Sequence, residues 1–399
     1  MKILLVNSLY SPNFAGGAER SVQLTAEALK SRGVEPVILT TSDHSTVSHI
    51  NDIKVYYARI PNLYWMYLAK QQPNLKKPFW HLLDARNPFT AAPLRRILSN
   101  EHPDIVHTNN LAGISVRAWD VSRNMGVPVV HTIRDHYLLC LSTTMFRNGK
   151  RCMRQCPRCR LVSWPKKRAS STVDAVVGIS DSILQTHLSL GFFSATGIRT
   201  CIPNPITLRA EGQVPRDNKE KLRFGYIGQL EPSKGVEHLL GAFKSLNAPG
   251  AELYLYGRGP TVEYERRLKD QFQSPGIRFM GFKPAENIYP EIDVAVVPSL
   301  REEAFGRIVP EANSYGLPVI VSNRGGLPEI VEKGINGFVF SPEDEASLKQ
   351  AMRSFIDRTN LAASMSSQCL KKAREYEAGR IAGRYIEVYR DVVGLHGQR

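Results

Sequence analysis

The sequence predicts an α/β fold of two doubly wound, Rossmann-like domains facing each other across a cleft. Two observations carry this. Short apolar runs alternate with helical patterns through the first half, as in a parallel sheet covered on both faces. The alternation lapses near residue 205 and restarts at Leu222, so the chain holds two such sheets. A length of 399 residues leaves room for two to three domains, each able to bury a core.

The elements follow in order. Ile3–Val6 is the first strand candidate and ends in a loop with Pro12, Gly16 and Gly17. A helical pattern over Glu19–Lys30 places Val22, Ala26 and Leu29 on one face. Val37–Leu39, Val55–Tyr57, Asp104–His107 and Val127–Ile133 are further strands, with a helix near Ile114–Arg123. Asp174–Ser180 is another, and Ser180 or Asp181 is placed to cap the next helix. Cys201–Pro205 and the polar run Glu211–Lys221 read as a linker. The second half brings strands at Leu222–Gly228, Leu253–Tyr256, Ile277–Met280, Val294–Val297 and Pro318–Val321, with a helix over Gly235–Leu246. Helical patterns over Glu343–Asp357 and Leu361–Val393, the latter broken near Gly379, close the chain. The expected domains are 1–205 and 206–375, with a terminal helix in 376–399. One insert, Arg134–Pro165, breaks the alternation; it is rich in Arg and Cys and shows no helical or strand period.

Apolar content of 42% and charged content of 22% place the chain among soluble globular proteins rather than disordered ones. No run approaches the ~18–20 apolar residues of a spanning helix, and Lys2–Val6 is too short for a secretory leader. A cytoplasmic protein is expected, peripheral at the inner face of the membrane if the basic surfaces below bind lipid. The net charge is +15, and residues 1–205 hold 25 Lys and Arg against 12 Asp and Glu. Such an excess attracts an anionic membrane, a nucleic acid or an anionic substrate. Asn62–Leu68, followed by Lys70, Lys76, Lys77, Phe79 and Trp80, mixes aromatics with cations as interfacial segments do. The plainer reading is a loop packing its aromatics on the domain. Four of six cysteines cluster: Cys140, Cys152, Cys156 and Cys159. Four thiolates are a ligand set for structural zinc; the alternative is reduced thiols beneath a basic loop. Ten Lys and Arg face one acid, Asp135, across Arg134–Arg168, a stretch suited to lipid head groups or an acceptor phosphate.

The chemistry concentrates at strand ends. In Glu303-Ala-Phe-Gly-Arg-Ile-Val-Pro-Glu311 the first carboxylate follows the strand pattern Asp293–Ser299, and the second lies about two helical turns on. In open α/β sheets that crevice binds ligands. Carboxylates there accept hydrogen bonds from sugar hydroxyls, and a helix N-terminus holds an anion. Gly228-Gln-Leu-Glu-Pro-Ser-Lys-Gly235 puts Lys234 on the same rim, where a lysine neutralises a diphosphate. Tyr256-Gly-Arg-Gly-Pro260 and Asn323-Arg-Gly-Gly-Leu-Pro-Glu329 are two more Gly-rich strand ends. Gly16-Gly17-Ala-Glu-Arg20 is a first-half counterpart without dinucleotide-fingerprint spacing. This convergence predicts one site on the cleft-facing rim.

With Glu311-Ala-Asn-Ser-Tyr-Gly-Leu-Pro-Val319, Gly325-Gly-Leu-Pro-Glu-Ile-Val331, Gly334–Gly337 and Pro203-Asn204, these motifs resemble a retaining glycosyltransferase of GT-B architecture, glycosyltransferase family 4. The resemblance spans nearly the whole chain. It implies that Glu303 holds donor-sugar hydroxyls, Glu311 the nucleotide ribose and Lys234 the diphosphate, helped by the backbone at Gly16, Gly17 and around Gly306. Phe305 and Arg307 fall inside the same motif, and residues near Met280–Phe282 would flank the base. It implies a UDP-, GDP- or ADP-sugar donor, a lipid-linked or polysaccharide acceptor, retention at the anomeric carbon, no catalytic metal, and a C-terminal helix crossing back to the first domain. Two positions depart from the pattern. Gln229 stands where Arg is usual, shifting charge to Lys234 or Arg258. Arg134-Asp135 replaces a common His-Asp, so Arg134 is the candidate at the place of a His that meets the transferred sugar. His131 alternates onto the opposite face and His136 is a loop candidate. An epimerase of related fold and a basic nucleic-acid-binding protein with a zinc module are the competing classes. The second lacks a recognition motif, so no nucleic-acid partner is expected.

Overall fold

The computed structural model describes residues 1–14, 16–209, 221–358 and 360–397. Of the expected linker, residues 211–220 lie outside that set. The chain forms two compact units. One comprises 1–145, 152–205 and 378–399; the other comprises 146–151 and 206–377.

In chain order through residue 205 the strands are β1 (Lys2–Val6), β2 (Glu35–Thr41), β3 (Thr46–Ile50), β4 (Ile53–Ala58), β5 (Ile105–Thr108), β6 (Val129–Ile133), a hairpin of β7 (Phe146–Arg147) and β8 (Lys150–Arg151), β9 (Ala175–Gly178) and β10 (Ile198–Cys201). The helices over that span are α1 (Gly17–Ser31), α2 (Lys77–Ala85), α3 (Ala91–Glu101), α4 (Arg117–Asn124), α5 (Pro157–Ser170) and α6 (Asp181–Ser189). The first unit's sheet runs β10-β9-β6-β5-β1-β2-β4-β3, parallel except for the β3–β4 pair. β1 is buried along Ile3–Val6 and pairs on both sides, Ile3 lying opposite Pro36 and Ile105. Ser180 caps α6, its hydroxyl accepting from the Ile183 N–H at 3.2 Å.

The second unit adds β11 (Leu222–Ile227), β12 (Ala251–Tyr256), β13 (Ile277–Gly281), β14 (Val294–Val297), β15 (Val319–Ser322) and β16 (Gly337–Phe340). Its helices are α7 (Val236–Leu246), α8 (Val262–Gln271), α9 (Ala285–Ile288), α10 (Ile308–Ser314), α11 (Glu345–Ile356) and α12 (Leu361–Ala373). The order β13-β12-β11-β14-β15-β16 is parallel throughout. The chain leaves β11 toward β13, then returns to β14 on the other side. The topological switch point therefore lies between the ends of β11 and β14. The last helix, α13 (Ala378–Gly397), belongs to the first unit, where Ile381, Tyr385 and Val388 join Val22, Ala26 and Leu29 of α1 in one core.

Two local expectations need correction. The insert is not without regular structure, because the β7–β8 hairpin and the first part of α5 lie in it. The buried face of α5 is Cys159, Ser163, Lys166, Ala169 and Ser170, small or polar residues that give no apolar stripe to read. The break in the last helical pattern falls at the 3-10 turn Arg374–Tyr376, ahead of Gly379.

Candidate functional site

The second unit gathers its chemistry at the switch point. Lys234 ends a short 3-10 turn after β11, and Glu303 lies in the loop after β14. Gly235 has φ +72°, and a Cβ on it would come within 1.8 Å of the Pro298 carbonyl oxygen, so only glycine lets the two loops touch. Gly325, at φ +56°, plays the same part from the β15 side: a Cβ would sit 2.1 Å from the Glu303 carbonyl oxygen. The Gly326 N–H donates to that oxygen at 2.8 Å. Three strand-end loops thereby fix the backbone of Glu303.

The side chains follow. Lys234 Nζ donates to Glu303 Oε1 at 2.7 Å, and the Ser299 hydroxyl donates to the same oxygen at 2.7 Å. Arg301 Nε stands 3.5 Å from it and Arg301 Nη1 3.1 Å from Glu231 Oε1. Burial raises the Glu303 pKa, but Lys234 and Arg301 outweigh it and hold the carboxyl at about 2. Glu311, in α10, accepts from Arg307 Nη2 at 2.7 Å and from the Tyr289 hydroxyl at 3.1 Å. Phe305, 3% exposed, packs its ring 5.8 Å from that of Tyr376. Gln229 and Arg258 are exposed, as is Phe282. Among the described residues, no hydrogen bond or ion pair brings these three side chains into the Glu303 cluster. Ser299, Arg301 and Tyr289 were not singled out from sequence; Arg301, two residues before Glu303, was the one with a legible signal.

The Glu303 ion pair has a pH signature. Its folded pKa lies below the unfolded value, so its contribution is complete above about 4.5 and is lost as pH falls toward about 2. The Tm deficit of Glu303→Gln against wild type is therefore expected to shrink as pH drops through that window. A deficit independent of pH, measured by calorimetry, would show that the pair does not hold the loop.

In the first unit, Arg134 follows β6 and is buried. Its Nε donates to Asn109 Oδ1 at 2.8 Å, after β5, and its Nη1 donates to Asn204 Oδ1, after β10. Below it His107 lies between the Tyr389 hydroxyl at 2.6 Å and Thr132 Oγ1 at 2.7 Å. His131 packs against Trp119 and Phe193, and burial with His187 and Arg134 nearby lowers its pKa to about 3. His136 is buried and stacks on His187. At the start of α1 the Gly16 N–H donates to Glu19 Oε2 at 3.0 Å, so the helix's own carboxylate occupies that amide.

Beside Arg134 lies a polar cluster that sequence reasoning missed. Lys166 of α5, 3% exposed, donates from Nζ to the Tyr137 carbonyl at 3.0 Å and sits 3.5 Å from the centroid of the Tyr137 ring. The Tyr137 hydroxyl donates to Asp84 Oδ2 at 2.6 Å, and the Gly113 N–H donates to Asp84 Oδ1 at 2.8 Å. Asp135 is half-buried and accepts from the Tyr137 N–H at 2.7 Å. Burial pushes both carboxyls up to about 6, against the pull of Lys166, and lowers Lys166 to about 8.

The zinc expectation is corrected. Among the described residues, no group of three or more His, Cys, Asp or Glu side chains is placed to hold a metal ion. Cys140 and Cys159 are buried, and Cys152 and Cys156 half-buried. Burial, with Cys140 and Cys156 nearby, raises the Cys159 thiol to about 12, so a ready thiolate is absent there. Among the described residues no helix is long and apolar enough to cross a membrane.

Comparison with known proteins bears on both units. Residues 15–209 match the family described as Glycosyltransferase Family 4, and residues 209–372 match Glycosyl transferases group 1. The chain is 33% identical over 334 residues to an uncharacterized 42.6 kDa protein in the cps region of Klebsiella pneumoniae, covering 83% of this chain and 87% of that one. Its fold is similar to that of a sucrose-phosphate synthase from Thermosynechococcus elongatus, with a TM-score of 0.76 at 19% identity over 99% of each chain. It is also similar to the Anabaena protein HepE, solved in complex with UDP, with a TM-score of 0.71 at 18% identity over 98% of this chain and 100% of that one.

Proposed function

The chain belongs to glycosyltransferase family 4, with the group 1 glycosyl transferase module in its second half, and on that premise we propose that it moves a sugar from a nucleotide-sugar donor to a lipid-linked or polysaccharide acceptor with retention of the anomeric configuration. One observation carries the reading: Lys234 and Glu303 meet at 2.7 Å at the switch point of the second sheet, on backbone that two glycines fix. In the structure the two charges satisfy each other. A bound donor would part them, with Glu303 accepting hydrogen bonds from sugar hydroxyls and Lys234 facing the diphosphate. Glu311 would take the ribose hydroxyls, exchanging Tyr289 and Arg307 for them.

In the transfer, the bond between the anomeric carbon and the diphosphate oxygen breaks and a bond to the acceptor oxygen forms. The acceptor's hydroxyl proton goes to the departing diphosphate. The barrier falls chiefly by positioning and by stabilising the charge that grows on the leaving group. Lys234 supplies that stabilisation, and no metal ion is given a part in it. The first unit, with Arg134 at its strand ends, receives the acceptor side in this reading. The cytoplasm, where nucleotide sugars are made, is the proposed compartment. The HepE complex with UDP favours testing uridine donors first, beside GDP- and ADP-sugars.

A thermal-shift panel of UDP-, GDP- and ADP-sugars is the test. One nucleotide class is expected to raise Tm above the others, and Glu311→Ala to abolish that rise. A rise that survives in Glu311→Ala would place the nucleotide elsewhere.

A further inference from the structure

We propose that α2 and α5 together form a docking surface for an anionic lipid bilayer. The inference stands on the first unit alone and does not depend on the donor reading. The two helices come from segments some 80 residues apart in sequence, yet they pack on one another. Each leaves large apolar side chains in water. On α2, Phe79 is 67% exposed and Leu82 63%; on α5, Leu161 is 73% exposed and Trp164 59%. Helical spacing places Leu161, Trp164 and Arg168 along one stripe of α5, opposite the buried Cys159, Ser163 and Lys166. The Arg168 guanidinium lies 5.2 Å from the Trp164 ring centroid. Stable monomers seldom leave several large apolar side chains exposed on two packed helices without a use for them.

The charge says which use. Residues 60–83 and 152–173 contain no Asp or Glu at all. Lys76, Arg158, Arg160, Lys167 and Arg168 are exposed among the apolar side chains. A protein partner would favour an apolar centre depleted of Lys, with charges kept to a rim. A nucleic acid would favour aromatic platforms for its bases, whereas Leu82 and Leu161 offer nothing to stack on. A bilayer accommodates both features at once. The Phe, Leu and Trp side chains enter the acyl boundary, and the cations reach phosphate groups from flexible stems. A face free of carboxylates has nothing to repel them.

Sedimentation of the full chain with phosphatidylcholine vesicles containing phosphatidylglycerol, and with vesicles of phosphatidylcholine alone, is the test. Binding is expected to the first only, and to weaken with added salt. Each exposed cation near the surface contributes about fivefold to binding. Arg160→Glu with Lys167→Glu is therefore expected to weaken binding by more than tenfold. On the other helix, Phe79→Ser with Leu82→Ser is expected to weaken it with little change in salt dependence. Unchanged circular dichroism keeps a folding defect apart from a binding defect, and either pair suffices alone. The proposal is overturned if the anionic vesicles do not bind, if both pairs bind them like wild type, or if single-stranded RNA is bound in their place with a steep salt slope.

Discussion

Lys234→Ala is expected to lower kcat/KM by roughly 10²–10³-fold, the effect of removing one preorganised donor from charge that develops in the transition state. The other partners of Glu303 make this a test of chemistry more than of stability. Glu303 loses its nearest cation in the variant, but the Ser299 hydroxyl at 2.7 Å and Arg301 at 3.5 Å stay in place. The folding penalty is therefore expected to fall below the roughly 3–5 kcal/mol that follows when a buried charge loses its sole partner. Lys234→Arg separates the two requirements. It keeps the charge, but a planar guanidinium does not reproduce the compact single-point contact that the ammonium makes with Glu303 Oε1. It is expected to recover donor binding more than turnover. An unchanged kcat/KM in Lys234→Ala, measured with saturating acceptor, would remove Lys234 from the transfer step.

The second unit was the more legible half for a physical reason. Its strands are short runs such as Val294–Val297 and Val319–Ser322, buried on both faces, and apolar composition announces them. Its site is built where glycines are compelled by backbone contact, and Gly235 and Gly325 show in sequence because no other residue fits. Edge strands were harder to read. β3, Thr46–Ile50, is largely exposed, so it carries no apolar run, and neither does the edge strand β10. The ion pair between Lys234 and Glu303 was also beyond reach. Both residues were legible as ligand groups, but 69 positions separate them, and only the order of β11 and β14 brings them together. In the first unit, α5 hid because Lys166 occupies a core position. A period of apolar residues cannot reveal a helix whose buried face is small or polar.

That buried lysine leads to the second large effect. Lys166→Met is expected to destabilise the first unit by roughly 3 kcal/mol near neutral pH, the scale for removing one partner from a buried charged group. For a unit of this size that corresponds to a fall of about 6–12 °C in its Tm. Methionine fills the volume, so the loss is electrostatic rather than a cavity. Among the described residues, the hydrogen bonds that remain are those from the Tyr137 hydroxyl and the Gly113 N–H to Asp84 and from the Tyr137 N–H to Asp135. The pH dependence identifies the cause. Both carboxyls have folded pKa values near 6, above the 3.8 of an unfolded aspartate, so their burial opposes folding increasingly as pH rises through that interval. Without Lys166 both values move higher, so the two proteins lose stability alike up to about pH 6, and the deficit of the variant is expected to grow as pH rises above it. Lys166 titrates in the folded protein near 8, below its unfolded value of 10.5. Because the folded value is the lower one, the wild type gains stability relative to the variant as pH rises from about 8 toward 10.5, and the deficit is expected to widen further. A deficit that is flat below about pH 6 and grows above it thus marks a cation serving the two carboxylates. A deficit flat in pH up to about 8 would mean that Lys166 acts through packing on the Tyr137 ring alone. Adding Asp84→Asn to Lys166→Met should recover part of the loss in the first case and none in the second.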